Sequence, residues 1–181
     1  MAEGRDWTRT TSESCPDCGA DTPSIGDAEL ARAITTAVAD FGRTLAPADP
    51  VRVRARPVDG VWSALEYACH SRDLIGVFEH RVRRTVKTPG QQLGWWDHEA
   101  SVVDDGYNQQ VPVLVAEEMA SMARSFALVL ADLEAGVWDA RAERRPGEHF
   151  TVREMARFVL HELIHHRWDA ENSLDPSRWD P

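Results

Sequence analysis

The sequence predicts an all-α protein, and more specifically a bundle of four helices. Four segments place apolar residues at helical spacing, and the chain of 181 residues is long enough to bury one substantial core. Strand signals are weak, because 51–55 is the only clean alternation of apolar and polar residues and it is short. Four amphipathic helices bury their apolar stripes most simply by packing against one another as a bundle.

The chain divides into two parts. Residues 1–23 are rich in Thr, Ser, Cys, Asp and Pro and predict an irregular leader. Residues 24–181 predict a single helical domain. Its four helices carry apolar residues every three or four positions and lie at about 27–45, 62–88, 111–134 and 151–169.

The ends of these helices have recognisable signals. Pro47 follows the first helix, and a glycine follows the third. Ser63 and Glu66 fit a capping box at the start of the second helix, and Thr151 and Glu154 repeat that pattern at the start of the fourth. The boundaries therefore rest on local chemistry as well as on periodicity.

The connection between the second and third helices, at 89–110, is unusually long. It can run the full length of the bundle, so these two helices can lie parallel, in an up-down-down-up arrangement. Trp96, in this connection, should cover apolar surface, and with Trp62 and Tyr67 it is a candidate for substrate binding. Asp97 is a candidate for binding substrate or a metal-bound water, with the alternative that it only caps a turn.

The composition narrows the classes of partner. Thirty acidic against 20 basic residues give a net charge of -10, which argues against nucleic acid or an anionic membrane and favours a small molecule or a protein. There is no apolar run of membrane-spanning length and no secretory signal pattern, so we expect a cytoplasmic protein. A homodimer is compatible with the sequence.

The last helix contains His-Glu-Leu-Ile-His-His at 161–166. His161 and His165 are four residues apart, so both project from one helix face and can bind one metal ion. A third ligand must come from elsewhere, and His70 lies on the apolar stripe of the second helix, where a buried imidazole needs a partner. The sequence thus predicts a divalent site of His70, His161 and His165. Zinc is the leading candidate, and nickel, manganese and iron also accept imidazole.

Several alternatives to this site stay open. His70 can be a hydrogen-bonded core histidine, and the pair on the last helix can face solvent. His161, Glu162 and His165 also fit the metalloprotease motif H-E-x-x-H, in which Glu162 would be the general base. His166 can replace His165 as a ligand if the helix is rotated, or it can support a ligand together with Asp169.

The three cysteines do not make a disulfide framework, which fits a reducing compartment. Cys15 and Cys18, in Cys-Pro-Asp-Cys-Gly, form half of a zinc knuckle and hence a second candidate metal site. The alternatives are two free thiols or a redox dithiol. Two further ligands would be needed for zinc, and the candidates are the remaining histidines His80, His98 and His149.

Three motifs together resemble one known family, over residues 24–175. They are Trp62-Ser63-x-x-Glu66-x-x-x-His70, Trp96-Asp97, and His161-x-x-x-His165-His166 followed by Asp169. The chain resembles the DinB-like superfamily, which includes bacillithiol transferases and mycothiol-dependent maleylpyruvate isomerases. This resemblance implies an up-down-down-up four-helix bundle with a divalent metal at one end, held by three side chains that fall on His70, His161 and His165.

The resemblance also implies a reaction. The isomerase branch has a carboxylate where this chain has His161, so the all-histidine set resembles the transferase branch. The Cys-Pro-x-Cys-Gly leader and the segment Glu66-Tyr67-Ala68-Cys69-His70 resemble an actinobacterial subgroup, whose thiol would be mycothiol. We therefore expect a metal-dependent thiol S-transferase, in which the cation favours thiolate and the sulfur attacks an electrophile. A hydrolase or isomerase on the same site is one alternative, and a non-catalytic metal-binding bundle is another.

Overall fold

The computed structural model describes residues 7–178, and helices dominate it. The helices are α1 (Asp27–Leu45), α2 (Ala64–Lys87), α3 (His98–Asp104), α4 (Pro112–Ala131) and α5 (Val152–Leu174). One antiparallel sheet of two strands, β1 (Arg141–Arg145) and β2 (Glu148–Thr151), precedes α5. The four long helices form the bundle, so the predicted fold class is confirmed.

The predicted capping boxes are present. Ser63 Oγ accepts a hydrogen bond from the Glu66 backbone N–H at 3.2 Å, and the Ser63 N–H donates to the Glu66 carboxylate at 2.8 Å. Thr151 and Glu154 repeat this arrangement at the start of α5. These exchanges satisfy backbone donors that the first turn of a helix would otherwise leave unpaired. At its other end α5 continues to Leu174, about one turn beyond the predicted end.

Contacts at both ends show that α1 and α5 run parallel. Arg153 at the start of α5 forms an ion pair of 2.8 Å with Asp27 at the start of α1. At the opposite end, Thr44 Oγ1 lies 3.0 Å from the Glu171 carboxylate, which joins the last turn of α1 to the end of α5. The first and last helices of the bundle therefore point in the same direction.

The remaining helices complete the arrangement. Ser173, near the end of α5, donates to the carbonyl of Trp62 just before α2, so α2 runs antiparallel to α5. An ion pair of 2.8 Å joins Arg72 in the first half of α2 to Glu118 in the first half of α4, so α2 and α4 are parallel. Helix α2 packs mainly against α5 and α4, and α4 packs mainly against α1 and α2. The predicted up-down-down-up topology is confirmed.

The parallel pair requires the chain to return over the bundle after α2. Early in this return, the backbone N–H groups of Gly90 and Leu93 donate to carbonyls of β1 at 2.7 and 2.8 Å. Later, the Arg54 guanidinium donates to the carbonyl of Asn108 at 2.8 Å, close to the start of α2. The connection therefore spans the length of the bundle, as expected, and α3 lies within it.

The strand signals in the sequence were misleading. Residues 51–55 contain a short 3-10 helix, Arg52–Arg54, and the actual hairpin lies at 141–151. Its first strand reads Arg-Ala-Glu-Arg-Arg, which has no apolar alternation to reveal it. Only Ala142 and Phe150 of the hairpin are buried, at 0 and 5% exposed. The Pro-Gly turn, with Gly147 at φ +80°, is the signal that was available.

The core lies between the four long helices. Its largest fully buried side chains include Phe41, Phe126, Met119, Met155 and Leu163, each contributing roughly 2–3 kcal/mol of hydrophobic burial. Over residues 7–178, no helix combines the length and the apolar character that crossing a bilayer requires. Short 3-10 helices at Trp7–Thr11 and Thr22–Ser24 belong to the leader, which packs against α5. Its division from the bundle at residue 23 stays a prediction.

Two candidate metal centres

Helix α5 presents potential metal ligands on two neighbouring faces. His161 and His165 share one face, and Glu162 and His166 share the next, about 100° around the helix. All four are buried, with exposed fractions of 0, 6, 9 and 5%. A solvent-facing histidine pair, which the sequence left open, is therefore not what the structure contains.

The first group, which we call the bundle cluster, consists of His70, Glu162 and His166. One ligand atom from each lies within 4.8 Å of the other two. His70 Nδ1 is buried and has no hydrogen-bond partner among residues 7–178, while His166 Nε2 faces a Glu162 oxygen at 3.3 Å. Buried polar atoms are normally paired, so an unpaired nitrogen beside an imidazole and a carboxylate fits a cation.

The electrostatics of this cluster favour ligand forms of two of its members. Burial holds the pKa of His70 well below its ordinary value, and the neighbouring His166 lowers it further. Burial raises the pKa of Glu162, but hydrogen bonds with His161 and His166 outweigh it and hold that pKa far below its ordinary range. Neutral imidazole and ionised carboxylate are the forms that bind metal.

His166 differs from His70. Burial lowers its pKa, but hydrogen bonding to Asp169 and Glu162 raises it to about 9. A proton and a metal ion would therefore compete for His166 Nε2, the nitrogen that faces Glu162.

The second group, which we call the leader cluster, consists of Cys15, Cys18, His161 and His165, whose ligand atoms also lie within 4.8 Å of one another. A tight turn brings the cysteines together: the Gly19 N–H donates to the Cys15 carbonyl at 3.0 Å, and Gly19 adopts φ +73°, which favours glycine. Cys15 Sγ lies 3.6 Å from His165 Nδ1.

The leader cluster stabilises the charged forms of both a cysteine and a histidine. Burial raises the pKa of Cys15, but hydrogen bonding from the Cys18 backbone and from His161 outweighs it and lowers that pKa. Burial lowers the pKa of His161, but hydrogen bonding to Cys18 and Glu162 raises it to about 10. The cluster therefore favours thiolate next to positive charge, which a proton or a metal ion can supply.

Two carboxylates connect the clusters. Glu162 Oε1 lies 3.0 Å from His161 Nδ1 of the leader cluster, while its Oε2 faces His166 of the bundle cluster. Asp169 Oδ2 lies 3.0 Å from His166 Nδ1 and 3.7 Å from His165 Nε2. The two centres thus share the groups that orient their imidazoles.

The structure divides the predicted set of His70, His161 and His165. His70 lies with Glu162 and His166, and the other two histidines lie with the cysteines. The physical reason is helix rotation, because the 162/166 face of α5 points to α2 and the 161/165 face points to the leader. The rotated alternative, with His166 in place of His165, agrees with the bundle cluster.

The ligands expected for the cysteine pair also differ. His80, His98 and His149 are absent from the leader cluster, and the two histidines of α5 occupy their place. Glu162 was considered only as a general base. The overlapping spacings, Glu162 to His166 and His161 to His165, were the available signal that one helix can serve two centres.

Aromatic rings surround the bundle cluster. The Trp96 ring stacks on His70 with centroids 5.2 Å apart, and Trp62 lies 5.3 Å from His70. Tyr67 stacks on His166 at 5.4 Å. The three residues predicted to bind substrate therefore all contact ligands of this cluster.

The connection before α4 contributes one further group. His98 is half-buried, with its ring 5.6 Å from that of His70, a neighbour that the sequence did not single out for this site. Asp97 instead lies exposed at the start of α3, where its carboxylate accepts the Ala100 N–H at 3.0 Å. The capping alternative describes its position.

A cleft of about 450 Å³ adjoins this aromatic wall. It lies between the second half of α2 and the connection that follows, and Trp96 forms part of both the cleft and the wall around His70. Its lining contains His80, Arg81 and Arg84 but no acidic residue. In a chain with net charge -10, this is a locally basic surface.

Comparison with known proteins adds three findings. A family model of the DinB superfamily matches residues 33–170. The fold is similar to that of YfiT from Bacillus subtilis, described as a probable metal-dependent hydrolase with an unusual four-helix bundle topology. That similarity has a TM-score of 0.77 at 13% identity and covers 87% of this chain and 92% of YfiT. No curated protein matches the sequence.

Proposed function

Because this chain belongs to the DinB superfamily, we propose that it is a metal-dependent enzyme whose divalent cation binds to His70, Glu162 and His166. The observation that carries the proposal is the convergence of three buried ligand groups: His70 Nδ1 has no hydrogen-bond partner among residues 7–178, and it lies beside His166 Nε2 and the Glu162 carboxylate, which are 3.3 Å apart. Three protein ligands leave coordination positions open, as catalytic sites do. Zinc remains the first candidate, with nickel, manganese and iron as alternatives.

The reaction we propose is attack of a low-molecular-weight thiol on an electrophile. When bound, the cation would favour the deprotonated form of a thiol or of water and so supply a nucleophile at neutral pH. Trp62, Tyr67 and Trp96 would exclude bulk water and hold the reactants against the cluster. His98, half-buried beside His70, would accept the proton that the nucleophile loses.

The basic cleft supports a class of electrophile. Arg81 and Arg84 line it, and guanidinium groups bind carboxylates with matched geometry. Trp96 joins this cleft to the aromatic wall around His70. We therefore propose an electrophile that carries a carboxylate, bound in the cleft with its reactive carbon towards the cluster. Mycothiol remains the proposed thiol, on the resemblance to the actinobacterial subgroup alone.

One observation favours the isomerase form of this chemistry over simple transfer. The preference for the transferase branch relied on a set of three histidines, whereas the bundle cluster contains a carboxylate, Glu162. A carboxylate in the set is what the resemblance implies for the isomerase branch. Both forms begin with addition of sulfur to carbon; the thioether is the product in one, and the thiol is eliminated again in the other.

Hydrolysis is the second candidate. A set of two histidines and one glutamate also activates water in metallohydrolases, and the structurally similar YfiT is described as a probable hydrolase. Under this candidate the cleft would bind an anionic ester or amide, and turnover would need no thiol.

The test is turnover of carboxylate-bearing electrophiles by the full chain, with and without thiol and with and without chelator. The proposal expects turnover that needs both metal and thiol and is lost in His70→Ala. His149→Ala is the matched control, because His149 is an exposed histidine of β2 outside both clusters. Thiol-independent turnover would support the hydrolase instead. Unchanged metal content in His70→Ala would overturn the metal site itself.

A further inference from the structure

We propose that Cys15, Cys18, His161 and His165 form a second metal centre, a closed structural zinc site that attaches the leader to α5. This site is distinct from the one proposed for catalysis and shares no ligand with it. It does not depend on the reaction proposed above, so the two can fail separately.

The distances support tetrahedral coordination. Sulfur at about 2.3 Å and nitrogen at about 2.05 Å from a tetrahedral zinc ion lie roughly 3.6 Å from each other. Cys15 Sγ and His165 Nδ1 are separated by 3.6 Å. The other ligand atoms of the cluster lie within 4.8 Å of one another, so a small adjustment of side chains brings all four to one centre.

The donor set also identifies the metal. Two thiolates and two imidazoles are the ligands of structural zinc, and four protein ligands leave no position for a substrate. The Cys-x-x-Cys-Gly turn already has its glycine in the left-handed conformation, at φ +73°. The bundle cluster, with three ligands and no sulfur, has the opposite character.

The groups behind the histidines are those of a metal site. His161 Nδ1 lies 3.0 Å from Glu162, and His165 Nε2 lies 3.7 Å from Asp169. A carboxylate behind each ring orients it and leaves the other nitrogen for the metal, an arrangement that is common around zinc. His165 would bind through Nδ1, and its Nε2 is the nitrogen that faces Asp169.

This site would also position the bundle cluster. Zinc bound to His161 would keep the ring proton on Nδ1, and His161 Nδ1 would then donate a hydrogen bond to Glu162 Oε1, which lies 3.0 Å away. The carboxylate is thereby held with Oε2 towards His166. The leader zinc would thus act on the catalytic centre through Glu162, as a positioning device that touches no substrate.

The first experiment is elemental analysis of the full chain purified with zinc. We expect the Cys15→Ser and Cys18→Ser variants each to lose one zinc equivalent relative to the parent. Cys69→Ser is the matched control, because Cys69 is a buried thiol outside both clusters and should keep the full content. The His70→Ala variant should also keep the zinc of the leader cluster, which separates this proposal from the catalytic one.

Two measurements on the unaltered chain keep the test independent of whether the variants fold. Cobalt substitution should give the strong visible absorption of a tetrahedral ion together with thiolate-to-cobalt charge transfer. Alkylation followed by mass spectrometry should find Cys15 and Cys18 protected until chelator is added. Equal alkylation with and without chelator, a Cys15–Cys18 disulfide in the purified chain, or full zinc content in both serine variants would overturn the proposal.

Discussion

The two faces of α5 offer a direct comparison between neighbouring centres. One face contributes Glu162 and His166 to a cluster completed from α2, and the other contributes His161 and His165 to a cluster completed from the leader. The first has three ligands, no sulfur and a wall of aromatic rings. The second has four ligands, two of them thiols. One residue along α5, or about 100° of rotation, therefore separates the three-residue cluster from the four-residue cluster.

The difference shows that the segment packed against each face of α5, either α2 or the leader, determines which ligand set that face can form. Both faces offer ligands with the same spacing of four residues. A packed bundle helix supplies one further imidazole and would leave room for a reactant on a bound ion, whereas a short turn with two cysteines would complete the coordination of that ion. The following predictions test this contrast, from the largest expected effect to the smallest.

Removing His70 should have the largest effect on catalysis. In His70→Ala the open centre loses the only ligand it receives from α2, so turnover should fall on the order of 10³-fold, about 4 kcal/mol in activation free energy. Steady-state kinetics would measure this, with His149→Ala as the control. If His70→Ala retained a tenth of the parent activity, the centre would not be catalytic.

Removing Cys18 should act mainly on stability. Loss of a structural ion in Cys18→Ser should lower the free energy of unfolding by about 3–4 kcal/mol and the melting temperature by about 10 °C. Calorimetry in the presence of zinc would measure it, with the chelated parent as a second comparison. The contrast between the centres would disappear if Cys18→Ser melted like the parent while losing its activity as completely as His70→Ala.

Replacing Asp169 should weaken the open centre moderately. Asp169 lies 3.0 Å from His166 and 3.7 Å from His165, so Asp169→Asn removes a charge that orients both rings. Metal affinity at the bundle cluster should fall by about 10- to 100-fold. Competition with a chromophoric chelator would measure this, and Glu171→Gln, an exposed neighbour, should change it little. An equal loss in both variants would point to general surface charge.

The ion pair of Arg56 and Glu66, outside both clusters, gives a comparison for stability that does not involve metal. Glu66 is buried and bound to Arg56 at 2.9 Å. Burial raises the pKa of Glu66, but the bonds from Arg56 and Ser63 outweigh it and lower that pKa below its ordinary 4.5. A lowered folded-state pKa means that this stabilisation is present above about pH 4.5 and is lost as the pH falls through the folded value.

Glu66→Gln should therefore cost about 1–2 kcal/mol at neutral pH and much less in acid, with metal content unchanged. Chemical denaturation of the parent and the variant at both pH values would show whether the two stabilities converge. A constant difference across the range would contradict the assigned role of the Arg56 pair.

The fold was predictable because periodic apolar positions and capping boxes report directly on helices. Residues such as Ser63 and Thr151 mark helix starts through interactions that lie within four residues of chain. The parallel direction of α2 and α4 followed from the length of the link between them. The hairpin was missed because its strands carry few apolar residues and are stabilised by packing beside α2 and α5.

The ligands were predictable as residue types but not as sets. Every histidine that enters a cluster was singled out from the sequence, and so were both cysteines. Their division depends on the rotation of α5 about its axis, which is determined by packing against α2 and the leader. A rotation of 100° moves the set from 161/165 to 162/166, and apolar periodicity does not resolve such a step when residues on both faces are buried.

The parallel course of α2 and α4 has one more consequence. A chain with this topology must send a connecting strap from one end of the bundle back to the other, and here the strap carries Trp96 and His98 past His70. Insertions or substitutions in the strap can change access to the bundle cluster without disturbing any of the four bundle helices. Related chains with this topology would therefore change their substrate most readily through this connection between α2 and α4.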